Sequence, residues 1–111
     1  MKRSVFIVMA LISMAQPAFS ITKSDREAIL DLVGSVTVIR RAAKLCPQYE
    51  FSTVEVFNLE KAKEVLGEKA YNNKIDSINT AIRTALTYGL KSTFCDMAKN
   101  SDAELESALS K

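Results

Sequence analysis

The sequence predicts an all-α protein, a small three- or four-helix bundle held by one disulfide, that follows a cleaved signal peptide. Three observations support this prediction: apolar residues recur at helical spacing, helix-capping patterns precede several of those stretches, and a secretory leader accompanies the only two cysteines, Cys46 and Cys95. No Gly/Ser-rich linker or internal repeat interrupts the pattern. We therefore expect residues 21–111 to form a single helical domain.

The first twenty residues have the composition of a secretory signal peptide. A basic start precedes an apolar run at residues 5–14, and Ala18-Phe19-Ser20 places small residues around a cleavage site. A membrane-spanning helix needs about 20 apolar residues, and Pro17 follows this run well before that length is reached. Residues 1–20 are therefore predicted to be removed, and the protein is expected to be periplasmic or secreted.

Export to an oxidising compartment makes the two cysteines a predicted disulfide. Joining Cys46 to Cys95 closes a loop of about 50 residues, which the chain-entropy treatment values at roughly 4 kcal/mol of stability. This is comparable with the net stability of many small domains. Two cysteines without any histidine are a poor ligand set, so neither a metal site nor a cofactor is expected.

The net charge of the whole chain, +2, comes from the leader. Without residues 1–20, 13 basic and 13 acidic side chains remain, so residues 21–111 have no net formal charge. A nucleic-acid-binding protein has a basic surplus on one face, and generic attraction to anionic membranes needs one too. We therefore expect no nucleic-acid partner and no stable membrane insertion after signal cleavage.

The first helix is predicted to begin at the capping box Ser24–Glu27 and to end near Cys46, because Pro47 disfavours helical geometry in the residue before it. The run Val36–Ile39 is locally β-prone, but the helical spacing around it outweighs that preference. The core-facing stripe comprises Ile29, Leu32, Val33, Val36, Ile39, Ala43 and Cys46.

A second, shorter helix is expected to follow an irregular stretch at residues 48–51. It begins either at the capping box Ser52–Glu55 or after Asn58, and Gly67 ends it. A long amphipathic helix comes next. One face of it carries Tyr71, Ile75, Ile78, Ile82, Ala85, Leu86 and Gly89.

The C-terminal part is predicted to contain a bend or break at Tyr88-Gly89 and a terminal helix that starts at a third capping box, Ser101–Glu104. The terminal helix would use Leu105, Ala108 and Leu109. The disulfide would then tie the end of the first helix to the far end of the long one. We expect the second and third helices to pack antiparallel to the first.

Catalysis by the common templates is excluded, because the chain contains no histidine. Ser-His-Asp and Cys-His nucleophiles, an imidazole acid or base, and histidine metal ligands are all absent. Glu60, Glu64 and Glu68 share a helix face, but Lys61 and Lys63 are interleaved with them, which is typical of a solvated surface. A non-enzymatic protein is predicted.

Two groups of side chains are candidates for a partner surface, and each has a structural alternative. The basic group lies in the last turns of the first helix, where cations also relieve the helix dipole. The aromatic group follows the first cysteine and is equally suited to filling the core. The candidates are Arg40, Arg41, Lys44, Tyr49, Phe51 and Phe57.

In size, helical content, export and a single long-range disulfide, the chain is loosely similar to the acid-stress chaperones of the bacterial periplasm. Those proteins typically have a tryptophan before a first cysteine that lies near the beginning of a helix. Here tryptophan is absent and Leu45-Cys46 lies at a predicted helix end. The resemblance implies binding of unfolding clients in acid. Without histidine, such a response would rely on carboxylates and occur below about pH 5.

The sequence thus predicts a small exported interaction module, such as an adaptor, inhibitor or accessory subunit, with an unknown protein partner in the envelope or outside the cell. A periplasmic acid-stress chaperone and a small-ligand carrier with a cavity between helices are the alternatives. One disulfide and the absence of an Asn-x-Ser/Thr acceptor suit a bacterial periplasm. The pattern does not specify an oligomeric state.

Overall fold

A computed structural model describes residues 21–110, and the predicted signal peptide lies outside the described residues. The described chain is all-α, as predicted, and no strand occurs between residues 21 and 110. None of the helices in this range is both long and apolar enough to cross a membrane. The four helices are α1 (Lys23–Leu45), α2 (Glu60–Leu66), α3 (Glu68–Thr87) and α4 (Lys91–Leu109).

The N-terminus of α1 is capped by Thr22, not by the predicted Ser24. The Thr22 hydroxyl accepts a hydrogen bond of 2.9 Å from the amide of Asp25. Thr22 and Asp25 have the spacing of a capping box and lie two residues before the predicted one. The Thr22 hydroxyl satisfies one of the free amides of the first turn. The helix therefore gains two residues at this end.

The C-terminus of α1 falls at Leu45, as the following proline predicts. Val33, Val36 and Ile39 are buried as expected, but Ala42 faces the core instead of Ala43. Neighbouring residues point about 100° apart around a helix. The last turn of the buried stripe therefore faces the partner helices through Ala42, and Ala43 is exposed.

The chain between α1 and α2 consists of turns, so the helix predicted from the capping box Ser52–Glu55 is not formed. The second alternative is the better one, because the side chain of Asn58 accepts a hydrogen bond from the amide of Glu60. Gly67 ends α2 as predicted. Its φ is 90°, a backbone conformation that residues other than glycine rarely adopt.

The predicted break at Tyr88-Gly89 separates α3 from α4, and Gly89 has a φ of 75°. The terminal helix predicted to start at Ser101 does not exist as a separate element, because α4 is continuous from Lys91. Cys95 consequently lies in the second turn of α4, and the disulfide does not join α1 to the far end of the long helix α3.

The direction of α3 also differs from the prediction. Arg26, near the start of α1, donates a hydrogen bond to the carbonyl of Leu66, which places the end of α2 beside the start of α1. Arg41, near the end of α1, contacts Asn79 of α3. The turns and α2 therefore carry the chain back along α1, so α3 runs parallel to α1, and α4 returns antiparallel.

The core surrounds α1, which contacts each of the other three helices. One buried cluster surrounds the disulfide and comprises Ile39, Ala42, Cys46, Phe51, Ile82, Phe94, Cys95 and Ala98. A second cluster, toward the start of α1, comprises Val33, Val36, Leu59 and Leu66. Helix α1 thus holds both ends of the bundle together.

The predicted disulfide between Cys46 and Cys95 is confirmed, with 5.9 Å between the two Cα atoms. Both cysteines are buried. Replacing both with alanine should lower the free energy of unfolding by about 2–4 kcal/mol, mainly because the unfolded chain is no longer cross-linked. A urea titration followed by far-UV circular dichroism measures this difference.

The reduced wild-type protein is the matched control, because it should unfold at nearly the same urea concentration as the double alanine variant. An alanine variant that unfolds at the same urea concentration as the oxidised wild type would contradict the stabilising role of this bond.

Candidate functional site

The segment between α1 and α2, residues 47–58, is held against α4 and is called the clasp segment below. The central feature of this contact is Asp102, whose side chain is 1% exposed. Its carboxylate accepts four hydrogen bonds of 2.5 to 3.2 Å, from the amide and the hydroxyl of Ser52 and from the same two groups of Thr53. A single side chain thus fixes two consecutive residues of the clasp segment.

The ionisation of Asp102 follows from this geometry. Burial raises the pKa of the carboxyl, but the hydrogen bonds from Thr53 and Ser52 outweigh burial, so the pKa lies below its ordinary value. The ammonium of Lys99, one turn earlier on α4, lies 4.0 Å from the carboxylate. The carboxylate is therefore ionised at neutral pH.

Two further contacts join the clasp segment to α4 on the N-terminal side of this carboxylate. The hydroxyl of Tyr49 donates a hydrogen bond to Asp96, which raises the pKa of that hydroxyl. The ammonium of Lys99 donates to the carbonyl of Glu50 and lies 5.8 Å from the ring centre of Phe51. The clasp segment is thus joined to α4 at three positions, Asp96, Lys99 and Asp102, along about two turns of that helix.

Arg40 holds the other end of the clasp segment. Its guanidinium donates to the carbonyl of Val54 at 3.3 Å and also to the carbonyl of Phe57. Arg41 donates to the side chain of Asn79 at 3.0 Å, and Lys44 is exposed. Two of the three basic candidates therefore make contacts within the protein.

The aromatic candidates also face inward. Phe51 belongs to the buried cluster around the disulfide, and its ring meets that of Tyr49 edge to face at 6.3 Å between centroids. Phe57 is half-buried against the second cluster. A partner surface built from the six candidates stays a prediction, but most of their functional groups are already engaged in holding the clasp segment.

A different surface of the bundle is free of such engagements. Between α3 and α4, above Val38 of α1, runs an apolar groove of about 280 Å³, here called the α3–α4 groove. No charged residue lines it and no polar atom contributes to its surface. The lining residues are Val38, Ile78, Ala81, Ile82, Ala85, Leu90, Thr93, Phe94 and Met97.

Large apolar side chains lie exposed along this groove. Met97 is 55% exposed at its edge, and Leu90 is 48% exposed near the turn that closes one end. Tyr88, in the same turn, is 76% exposed. Toward the opposite end, the groove adjoins a shallow depression that includes Asp31 and Lys74. The lining of the groove is thus suited to binding an apolar group.

The sequence pattern predicts an apolar helix face but not this groove. Ile78, Ile82 and Ala85 belong to the predicted apolar face of α3, but in the described bundle only Ile82 is completely covered. Met97 lies outside the buried Phe94–Ala98 face of α4 and carries no pattern of its own. A groove requires two helices to diverge, and that divergence depends on tertiary packing.

Within residues 21–110, no cluster of three or more metal-ligating side chains occurs. The four-donor arrangement at Asp102 leaves little room for another ligand, because the carboxylate is buried and its oxygens already accept hydrogen bonds from the clasp segment.

Replacing Asp102 with asparagine should destabilise the protein by about 2–4 kcal/mol at pH 7, because an amide cannot accept all four hydrogen bonds and places its NH₂ against donors. The folded-state pKa of Asp102 is depressed, so its contribution is fully present above the ordinary pKa of about 4 and is lost as the pH falls through the folded-state value. The stability difference between wild type and variant should therefore narrow in strong acid.

Urea titrations of both proteins between neutral pH and about pH 2 measure this difference. Asp96→Asn is the matched control on the same helix, since Asp96 accepts from Tyr49 at an exposed position. A gap between wild type and Asp102→Asn that stays constant down to the lowest pH would show that ionisation of Asp102 does not stabilise the fold.

Replacing Arg40 with methionine should lower the free energy of unfolding by about 1–2 kcal/mol, because the carbonyls of Val54 and Phe57 lose their side-chain donor. Lys44→Met should change it by less than about 0.5 kcal/mol, since Lys44 is exposed. Thermal unfolding of the two variants gives the comparison. Equal stability of both would mean that Arg40 is free for another role.

Comparison with known proteins gives this chain no relative. No family model, no curated protein and no solved structure matches it.

Proposed function

We propose that this protein is a small exported interaction module without catalytic activity, which binds an amphipathic helix of a protein partner in the α3–α4 groove. The observation that supports this most directly is the uncharged lining of the groove, together with the exposed Met97 beside it. About a quarter of the chain is charged, yet none of those residues lines this surface. Exposed apolar surface of this kind marks binding sites in soluble proteins.

The shape of the groove favours a helix as its occupant. Helices α3 and α4 both pack along α1, and α2 is only seven residues long, so the bundle has three long helices. A fourth helix laid between α3 and α4 would complete a four-helix arrangement. Small residues, Ala81 and Ala85, lie on the α3 wall and permit a close approach of the partner backbone.

The charges around the groove specify the partner further. Asp31 and Lys74 lie in the depression that adjoins one end of the groove, whereas Leu90 lies at the other end, next to Gly89. A matching helix would present two to three turns of apolar residues and then polar residues able to pair with this acid and base. This pattern is typical of the apolar face of an amphipathic helix.

Export and absence of catalysis are parts of the same proposal. The buried disulfide is of a kind that persists in oxidising compartments, and the sequence of residues 1–20 is typical of a secretory leader. Without histidine, the chain lacks the usual acid–base and nucleophile pairs. Binding is therefore favoured over chemistry, in the periplasm or outside the cell.

A photo-activated cross-linking residue at position 97 should capture one partner in the native compartment at neutral pH. Peptide mapping of the adduct should place the cross-link on an amphipathic helix of that partner. Met97→Asp should weaken the interaction at least about 10-fold, because a charge would be buried in an apolar groove.

Leu109 provides the matched control. It is 52% exposed, close to the value for Met97, but lies at the end of α4 outside the groove. A cross-linker at position 109 should not capture the same partner, and Leu109→Asp should leave the affinity unchanged. Equal capture from both positions, or equal loss in both aspartate variants, would count against the groove.

A periplasmic acid-stress chaperone is a second candidate, and the clasp segment is the observation that favours it. The carboxylate of Asp102 on α4 accepts hydrogen bonds from Ser52 and Thr53 of this segment, and because the pKa of Asp102 lies below its ordinary value, only strong acid weakens this contact. Capture of many unrelated proteins near pH 3, and of none at neutral pH, would favour this candidate over a specific adaptor.

A further inference from the structure

We propose that the α3–α4 groove also binds a second copy of this chain, in a symmetric dimer in which Met97 of each protomer lies over Ala81 of the other. This inference rests on the proposed function in treating the groove as a binding surface. It adds that self-association and partner binding compete for the same residues. The free protein would then shield its own apolar surface until a partner displaces the second copy.

The positions of the side chains along the two helices support this pairing. Helices α3 and α4 run antiparallel on either side of the turn at Gly89. Ala81 precedes Gly89 by the same number of residues by which Met97 follows it, and Ala85 and Thr93 are related in the same way. Residues equally distant from the turn lie at nearly the same level along two antiparallel helices. Ala81 of α3 is therefore level with Met97 of α4, and Ala85 is level with Thr93.

Two-fold symmetry uses this correspondence. A rotation axis parallel to the groove places α3 of one protomer opposite α4 of its partner and leaves every level unchanged. Met97 of each copy then meets Ala81 of the other, and the contact occurs twice. A self-complementary surface of this kind is what a closed symmetric dimer requires.

The chemistry of the pairing is favourable. Met97 projects from the edge of the groove, and methionine adapts its shape to irregular gaps, whereas Ala81 leaves room on the opposite wall. Leu90 and Tyr88 add exposed apolar surface at the turn. No charged residue lines the groove, so no like charges meet where the two grooves face each other, and residues 21–111 carry no net charge that would repel the two copies.

The available area sets the strength of the dimer. A helix of about 20 residues is roughly 30 Å long and 10 Å wide, so one face of it covers about 300 Å². The outward faces of α3 and α4 together therefore provide roughly 600 Å² per protomer. The total of about 1,200 Å² is at the lower limit for a specific interface. We therefore expect a concentration-dependent dimer with a dissociation constant in the micromolar range, weak enough for a partner helix to displace.

Sedimentation equilibrium of the exported, oxidised protein tests the proposal at concentrations from about 1 μM to about 500 μM. The wild type and Leu109→Asp should change from monomer to dimer over this range, and Met97→Asp should remain monomeric. Circular dichroism checks that all three proteins keep their helical content. A wild type that is monomeric throughout, or a Met97→Asp variant that dimerises like the wild type, overturns the proposal.

The register is tested by mixing two variants. Ala81→Glu and Met97→Lys should each self-associate at least about 10-fold more weakly than the wild type, because each homodimer places two unpaired charges at the interface. A mixture should form a heterodimer, since one contact then pairs Glu with Lys and the other is native. A mixture that remains monomeric overturns the register.

The outcomes for the dimer and for the proposed function are separable. Sedimentation uses the purified protein alone and reports only on self-association. Capture of a partner through position 97 by a protein that sediments as a monomer would retain the proposed function and remove the dimer. Dimerisation through Met97 with no partner helix captured at that position would retain the dimer and remove the proposed function.

Discussion

The disulfide between Cys46 and Cys95 is the constraint from which the rest of the arrangement follows. It fixes the end of α1 to the second turn of α4, and the chain that leaves Cys46 must then cross that part of α4 before it can form α2. The clasp segment follows this path and meets the carboxylate of Asp102 on the way. Because the clasp segment is held in place, α2 returns to the start of α1, and α3 can run parallel to α1. The disulfide and the hydrogen bonds of Asp102 thus hold the same turn of the chain, after which α2 leads to an α3 that runs parallel to α1.

Helices and the disulfide could be predicted from the sequence because their causes are local or compositional. Apolar spacing marked α1 and α3, Pro47 and Gly67 marked helix ends, and two cysteines behind a leader left one pairing. The helix starts predicted at Ser52 and Ser101 were wrong because a local capping pattern is also compatible with other hydrogen bonds. Ser52 belongs to a capping box in sequence, yet its hydroxyl and amide bind Asp102, a residue 50 positions away. Asp102 itself belongs to another such box and is buried inside a continuous helix.

The candidate binding surface also depends on tertiary packing that the sequence pattern does not contain. Arg40, Tyr49 and Phe51 have the composition of a binding surface, but tertiary contacts direct them to backbone carbonyls, a carboxylate and the core. The groove is built instead from alanine, methionine and aliphatic residues, whose individual positions carry no chemical signal. Reactive groups can be recognised one at a time in a sequence, whereas an apolar groove exists only once helices are placed relative to one another.

The order of the helices along the chain has a consequence for folding. Helices α2 and α3 are neighbours in sequence, but the core around Ile39 and Ala42 is closed by Phe94 and Ala98 of α4. The contacts that cover the apolar stripe of α1 therefore join positions about 50 residues apart, as the disulfide does, and a long loop must close before that surface is buried. A partly folded chain thus exposes the stripe of α1 until α4 packs against it.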